Sequence, residues 1–176
     1  MADQDDLRRL IESCKAGEPA AYEELIDLYA ARCYGYFYRR SGCRATSEDL
    51  LSELFVKLVE KLGMFDGEYF DKWLFTVASN LFRDHLRARY RQKKVIEAKA
   101  AQMAQERTGS DDGNQMPDKL QEKLGQLDAE TVELITLRFY GQMSFRELSE
   151  MRGEPIGTIL SKVHRGLKKL REMMEL

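Results

Sequence analysis

The sequence predicts an all-α protein made of two small helical domains joined by a flexible linker. Apolar residues recur at helical spacing along nearly the whole chain, and short alternating runs of β-branched residues are absent. A polar segment from residue 95 to residue 117 lacks the bulky apolar side chains that a core requires. We therefore expect an N-terminal domain over residues 1–94, a linker over 95–117 that is helical at its start, and a C-terminal domain over 118–176.

The composition is typical of a small protein with a hydrophobic core. Its 176 residues are 43% hydrophobic and 33% charged, which is enough apolar content for a core in each domain. No apolar run has the length of a membrane span, and the segment Met1–Asp6 is acidic where a secretory signal would be basic and then apolar. We expect a cytoplasmic protein with no direct membrane insertion.

Nothing in the sequence indicates a metal site, a cofactor or a catalytic residue. The cysteines are odd in number and lack Cys-x-x-Cys spacing, which argues against a disulfide framework or a zinc site: Cys14, Cys33 and Cys43. An enzyme that uses Glu23, Glu24 and His85 around a metal is one alternative. The absence of a Glu-x-x-His pair argues against it.

The first two predicted helices lie in the N-terminal domain. One runs from about residue 18 to residue 40 and ends at Gly42. The next is capped by Thr46 or Ser47 and ends near Gly63. Its apolar stripe is expected to face the core: Leu50, Leu51, Leu54, Phe55, Leu58, Val59 and Leu62. Its opposite face is acidic and includes Asp49 and Glu53.

A third helix, predicted over residues 72–94, has an apolar face and a polar face. The apolar face comprises Trp73, Leu74, Val77, Ala78, Leu81 and Leu86. The polar residues step by three or four positions, so they form one stripe that can lie on a DNA backbone: Asn80, Arg83, Asp84, Arg87 and Arg91.

Aromatic residues cluster just before this stripe and inside the start of the helix. Aromatic rings beside a basic groove can hold single-stranded or flipped-out bases by stacking. The helical spacing of Trp73 and Phe75 favours the core for these two. Phe65, Tyr69 and Phe70 precede the helix and are candidates for base contacts.

In the C-terminal domain, two helices precede a helix-turn-helix. One is centred on Leu120 and Leu124, and the other runs from about residue 129 to residue 140. Ser144 and Glu147 then have the spacing of a capping box that starts a short helix. Gly153 permits a left-handed turn and Pro155 suits the first turn of the helix that follows.

The last predicted helix is amphipathic. Its inward face comprises Ile156, Ile159, Val163, Leu167 and Leu170. The outward face fits a major groove: Thr158, Ser161, Lys162, Arg165 and Lys169. The alternative is a pair of amphipathic helices in an ordinary bundle with a solvated basic face.

Positive charge is local on a chain whose net charge is −2. One basic cluster lies between residues 83 and 94 and the other between 162 and 171. Nonspecific DNA affinity comes mainly from clustered Lys and Arg. This distribution predicts that a partner supplies much of the DNA affinity while this chain supplies selectivity.

Several of these segments, taken in order, resemble the extracytoplasmic-function sigma factors, promoter-recognition subunits of bacterial RNA polymerase. The similar segments are residues 20–25, 48–55, 70–75, 80–87 and 153–165. They look like the family's opening helix, polymerase-binding helix, melting loop, promoter-reading helix and C-terminal reader. Leu160 and Glu154 depart from the family pattern, where a basic and an apolar residue are usual.

The resemblance implies core RNA polymerase and promoter DNA as partners, with an anti-sigma factor as a further candidate, and it implies no bond chemistry. Polymerase contacts would come from Asp49, Leu50, Glu53 and Phe55. The opened minus-ten element would contact Phe65, Tyr69 and Phe70 together with the polar stripe of the third helix: Asn80, Arg83, Asp84, Arg87 and Arg91. The duplex minus-thirty-five element would contact Pro155, Thr158, Ser161, Lys162, His164, Arg165 and Lys169. The linker would pass through the polymerase near the RNA exit path.

The main alternative function is a stand-alone transcriptional regulator. Its helix-turn-helix would bind an operator while the N-terminal domain senses a ligand or dimerises. The acidic net charge and the lack of signals for a palindrome-reading dimer argue against it.

Overall fold

The computed structural model describes residues 4–66, 68–102 and 118–175, with side chains described outside 99–102. Within these ranges the regular structure is helical, which confirms the all-α prediction. The α-helices are α1 (Gln4–Lys15), α2 (Pro19–Ser41), α3 (Arg44–Lys61), α4 (Phe70–Gln102), α5 (Lys119–Leu124), α6 (Ala129–Phe139), α7 (Phe145–Arg152) and α8 (Ile156–Glu175). A 3₁₀ turn, Leu62–Met64, follows α3. Most of the predicted linker, residues 103–117, lies outside the described residues.

Helix α1 was not predicted from the sequence. Ile11 and Cys14 are buried on α2, and Leu7 and Leu10 pack beside them. Positions 7, 10, 11 and 14 have the spacing of one helical face, and this signal could have found the helix. Acidic residues in its first turn and Lys15 in its last turn also match the helix dipole.

The start of α3 corrects a predicted cap. The residue at the N-cap is Cys43, which precedes Thr46 and Ser47. Ser47 is buried one turn inside the helix, where its hydroxyl donates to the Cys43 carbonyl at 2.6 Å. The end of α2 is as predicted, since Gly42 adopts a left-handed φ of 67°.

Helix α4 is longer than its prediction of residues 72–94. It begins at Phe70 and continues to Gln102, so the start of the predicted linker is helical, as expected. Phe75 is fully buried, as its spacing predicted, and Trp73 is partly buried. Leu86, expected on the apolar face, is 44% exposed. The α4 helix leaves the N-terminal core before this residue, because the buried positions end at Phe82.

The C-terminal helices begin where side chains satisfy their free amides. Asp118 accepts a hydrogen bond from the Gln121 amide, and Asp128 accepts one from the Thr131 amide. The predicted capping box between Ser144 and Glu147 is present in both directions. The buried residues of α6, α7 and α8 then form the core of this domain, including Leu134, Leu137, Leu148, Ile159 and Val163.

The two halves of the chain pack against each other, which the sequence left open. Helix α2 contacts α6, and the buried residues of both halves form one continuous cluster. The Tyr140 ring covers Gly35 so closely that a Cβ there would lie 2.9 Å from Cδ1 of Tyr140 and closer still to Cε1. The small residue in α2 therefore lets the C-terminal half approach the helix backbone.

Candidate nucleic-acid and polymerase interfaces

Helix α8 presents the outward face that the sequence predicted. Ile159 and Val163 are buried on the inner side. The exposed residues are Pro155, Thr158, Ser161, His164, Arg165 and Lys169, and we call these six the α8 face. Ile156 is a correction, because it was expected in the core and is 47% exposed. Residues 155–158 are all exposed, so the first turn of α8 projects past the core.

Lys162 belongs to the same outward face by spacing, but two carboxylates bind it. Its Nζ lies 2.8 Å from Oε1 of Glu130 and 2.6 Å from Oε2 of Glu154. These hydrogen bonds raise the pKa of Lys162, and the bond from Lys162 lowers the pKa of Glu130. Glu154, which departs from the family pattern in the sequence, therefore forms an ion pair with Lys162. The charge of Lys162 is largely compensated within the protein.

Arg165 and Lys169 differ from Lys162 because they donate hydrogen bonds to backbone carbonyls. Arg165 Nε donates to the Ser161 carbonyl at 3.2 Å, and Lys169 Nζ donates to that of Gln126 at 3.4 Å. Both side chains are exposed. Their positive charge faces solvent and is available to a phosphate or a base edge.

The polar stripe predicted on the third helix lies on α4, and we call it the α4 stripe: Asn80, Arg83, Asp84, Arg87 and Arg91. Four of its residues are exposed: Asn80, Asp84, Arg87 and Arg91. Asp84 and Arg87 form an ion pair at 3.1 Å on the helix surface. Arg83 differs, because its guanidinium lies 2.9 Å from Oε1 of the buried Glu133 in α6. The spacing placed these five residues on one face, but the structure gives Arg83 a partner from the other half of the chain.

The three loop aromatics have different positions. Phe65 and Phe70 are each only 4% exposed and pack edge to face, with ring centroids 5.5 Å apart. Tyr69 is 68% exposed and has a φ of 57°, which is unusual for a bulky residue. Backbone strain of this kind is concentrated at functional sites. Of the three rings, that of Tyr69 is the one exposed to solvent.

The polymerase-binding residues predicted on α3 divide between surface and core. Asp49 and Glu53 are exposed, whereas Leu50 is 3% exposed and Phe55 is partly buried against the core. Val56 is 57% exposed and lies seven residues after Asp49, on the same helix face. We call Asp49, Glu53 and Val56 the acidic face. Val56 was not among the residues predicted from the sequence, and it adds apolar surface beside the two carboxylates.

Val59 is a further correction on α3. The sequence placed it in the core stripe, but it is 49% exposed. The buried residues of this helix recur at Leu50, Leu54 and Leu58, so the core covers a narrower stripe than the apolar pattern suggested.

Over residues 4–66, 68–102 and 118–175, the His, Cys, Asp and Glu side chains form no group of three or more that could hold a metal ion. No helix described within those ranges is long and apolar enough to cross a bilayer.

Two regions of the chain match known family models in the order that the motifs predicted. Residues 25–92 match Sigma-70 region 2, and residues 124–172 match Sigma-70, region 4. The first contains the acidic face and the α4 stripe, and the second contains the α8 face.

Curated relatives extend the similarity over nearly the whole chain. The chain is 31% identical over 182 residues to the ECF RNA polymerase sigma factor BldN of Streptomyces coelicolor, covering 98% of this chain and 68% of the relative. It is 24% identical to the ECF RNA polymerase sigma factor SigW of Bacillus subtilis, covering 96% of both.

Solved structures share the fold. The sigma factor RpoE of Bartonella quintana, in complex with the anti-sigma factor NepR, has a TM-score of 0.69 at 23% identity, over 88% of this chain and 97% of that one. CnrH, in complex with the cytosolic domain of CnrY, has a TM-score of 0.67 at 22% identity, over 98% of both chains. From the two family regions and the relative at 31% identity, the chain belongs to the ECF sigma factors of RNA polymerase and is an alternative sigma factor.

Proposed function

We propose that this sigma factor makes its contacts in transcription initiation through three exposed surfaces. The acidic face binds core RNA polymerase, Tyr69 with the α4 stripe holds the opened minus-ten element, and the α8 face binds the duplex minus-thirty-five element. In this proposal residues 1–94 form the domain for polymerase and the minus-ten element, residues 95–117 form the linker, and residues 118–176 form the domain for the minus-thirty-five element. The observation that carries the proposal is that these surfaces, apart from Arg83, are exposed within the two family regions.

The proposal narrows the residues predicted from sequence. Leu50, Phe55, Phe65 and Phe70 support the surfaces from the core, because their side chains are buried or partly buried. Lys162 orients the turn of the helix-turn-helix through Glu130 and Glu154 and contributes less to DNA affinity than Arg165. A contact between Lys162 and a phosphate would require breaking its ion pairs with both carboxylates, and the free-energy cost of that loss opposes the contact.

We also propose an anti-sigma factor as a partner, since the two solved relatives are each bound to a second protein, named for one as an anti-sigma factor. The chain acts in the cytoplasm, where polymerase and promoters are found. Its role is binding and positioning, and no side chain performs bond chemistry. The stand-alone regulator is not favoured, because the relatives are polymerase sigma factors.

The polymerase contact is tested by charge reversal. Asp49→Lys with Glu53→Lys should abolish assembly with core polymerase and leave the fold intact, because exposed charges contribute little to stability. Glu12→Lys with Glu23→Lys makes the same change in charge on α1 and α2 and should assemble normally. Core affinity is measured with labelled sigma factor, and normal assembly by the first variant would refute the acidic face.

The minus-thirty-five contact is tested on α8. Arg165→Ala should keep core binding and lose about 1–3 kcal/mol of promoter affinity if Arg165 contacts a base. If it contacts a phosphate, the loss should be similar on all sequences and the salt dependence shallower. Lys168→Ala, an exposed cation on the same helix, is the control. Equal affinities for wild type and Arg165→Ala holoenzyme would remove Arg165 from the site.

The minus-ten contact is tested on Tyr69. Tyr69→Ala should weaken holoenzyme binding to forked promoter DNA by about 1–3 kcal/mol, the contribution of one stacked base. Tyr69→Phe keeps the ring and should bind like the wild type. A phenylalanine variant as weak as the alanine variant would show that stacking is not the contact.

A further inference from the structure

Two apolar side chains of α8 are exposed beside the α8 face. Leu160 is 46% exposed and Ile156 is 47% exposed. They are four residues apart, so they are neighbours on one side of the helix. Neither belongs to the hydrophobic cluster that the described residues form, whereas Ile159, Val163 and Leu167 of the same helix do. Packing in the core therefore does not account for this pair, which we call the apolar ridge.

The apolar ridge lies in the part of α8 that meets base edges in the proposed function. In a helix-turn-helix the N-terminal residues of the second helix contact the bases. His164 follows Leu160 by one helical turn and Ser161 is adjacent to it, and both are exposed members of the α8 face. Gly157 is also exposed, and a Cβ there would meet nothing within 4 Å. The helix surface beside the ridge is thus bare backbone, which allows close approach to a ligand.

The charge around the ridge favours DNA as its occupant. Residues 156–171 include no acidic residue. Five of them are basic: Lys162, Arg165, Lys168, Lys169 and Arg171. Clustered lysines and arginines bind phosphates and orient a protein on the duplex. Contacts with the two phosphate backbones that border a major groove would bring the ridge to the base edges between them.

The chemistry of those base edges gives an apolar side chain one favourable target. In the major groove the base pairs present hydrogen-bond donors and acceptors, and the apolar group among them is the C5 methyl of thymine. Leucine can bond to no donor or acceptor, so it would remove water from such a group without replacing the lost hydrogen bond. Against a thymine methyl, both partners remove apolar surface from water.

We propose that Leu160, with Ile156 beside it, reads the methyl group of one thymine in the minus-thirty-five element and thereby sets the sequence preference at that base pair. The preference is for A·T over G·C. A lysine or arginine at this position, usual in the family, could instead bond to O6 and N7 of guanine. The inference rests on the proposed function of the α8 face and names the base that this part of the face selects.

The test removes a single methyl group from the DNA. Promoter duplexes are first selected by wild-type holoenzyme from a library randomised over the minus-thirty-five region. Each thymine of the selected element is then replaced in turn by deoxyuridine, which pairs in the same way but lacks the methyl. At one position the wild-type holoenzyme should bind the deoxyuridine duplex about fourfold more weakly, as expected for one buried methyl group. At that position Leu160→Ala holoenzyme should bind both duplexes equally.

Two further variants separate base reading from a general loss of apolar surface. Leu28→Ala is the matched control, because Leu28 is 44% exposed on α2 and lies outside the three surfaces. Its holoenzyme should keep the fourfold difference. Leu160→Lys restores the basic residue that is usual in the family. When the selection is repeated with this variant, the A·T pair at the position should be replaced by G·C. Both substitutions at Leu160 should leave the fold intact, because the site is exposed.

The inference is overturned if deoxyuridine has no effect at any position in the wild type, or if Leu160→Ala responds to every replacement as the wild type does. Weaker binding of Leu160→Ala to core polymerase would also overturn it, since the ridge would then contact a protein. Failure of the proposed function looks different. In that case Arg165→Ala and Leu160→Ala holoenzymes would both bind the promoter as tightly as the wild type, and the selection would enrich no minus-thirty-five sequence.

Discussion

The close approach of Tyr140 to Gly35 permits a test of the contact between the two halves that does not involve charge. Gly35→Ala adds one methyl group in the middle of α2. In an open helical site this change stabilises a protein by about 0.5–1 kcal/mol, because alanine restricts the unfolded chain more than glycine does. Here the new Cβ would lie 2.9 Å from Cδ1 of Tyr140 and closer to Cε1. Overpacking of this kind costs about 1–3 kcal/mol.

Two arginines of α2 bind Tyr140. Its hydroxyl accepts a hydrogen bond from Arg39 and its backbone carbonyl accepts one from Arg32 at 2.9 Å. The two contributions have opposite signs, so Gly35→Ala should destabilise the protein by as much as about 2 kcal/mol. Because the Tyr140 ring and Gly35 belong to different halves of the chain, the strain can also be relieved by separation of the two halves.

A double-mutant cycle measures the contact. In the Tyr140→Ala background the aromatic ring is absent, so Gly35→Ala should stabilise the protein by about 0.5–1 kcal/mol. The change in the free energy of unfolding caused by Gly35→Ala should therefore have opposite signs in the two backgrounds. Urea unfolding gives the free energies, and Gly157→Ala is the control, because a Cβ at this helical glycine meets nothing within 4 Å. Equal effects of Gly35→Ala in both backgrounds would show that the tyrosine does not lie on the glycine in solution.

Three further results are expected. Gly166→Ala should destabilise the protein by about 1–3 kcal/mol, because the added Cβ would overlap Cγ2 of Thr131 and lie 3.1 Å from Cδ1 of Ile135. Adding Thr131→Ala should recover part of the lost free energy of unfolding, measured in urea. Asp128→Ala should cost about 1 kcal/mol by removing the cap of α6, while Asp128→Asn should cost less; similar losses for both would exclude capping as the cause. The hydrogen bonds from Arg39 lower the pKa of Asp118 from 3.8, so this carboxyl binds fewer protons in the folded protein than in the unfolded chain. The resulting stabilisation is present above pH 3.8 and is lost as the pH falls through the folded pKa. The melting temperature of the wild type should therefore decline more steeply below pH 3.8 than that of Asp118→Asn.

Local physical chemistry explains which structural predictions were confirmed. The capping box at Ser144 and Glu147 needs only residues three apart, and Gly42 and Gly153 adopt left-handed φ values that side chains oppose. Helical periodicity likewise placed Ile159 and Val163 inside and Arg165 outside. These features are readable because their causes lie within a few residues of one another.

Periodicity was less informative about the limits of each apolar face. Val59, Leu86 and Ile156 have apolar side chains at core spacing but are exposed, because the neighbouring elements do not extend over them. Conversely, Phe65 and Phe70 lie in or beside a loop and are buried. How far a core extends depends on which helices cross it, and spacing within one helix does not contain this information.

The sequence by itself determined the all-α class, the helix-turn-helix and the positions of the two basic clusters. Only the tertiary structure decided which charged residues within those clusters are free. Lys162 is bound by Glu130 and Glu154, and Arg83 is bound by Glu133, which lies 50 residues away along the chain. Helix formation and capping are set by neighbours in sequence, whereas the partner of a charge is set by the packing of distant segments. For that reason the contacts between the two halves of the chain could be found only in three dimensions.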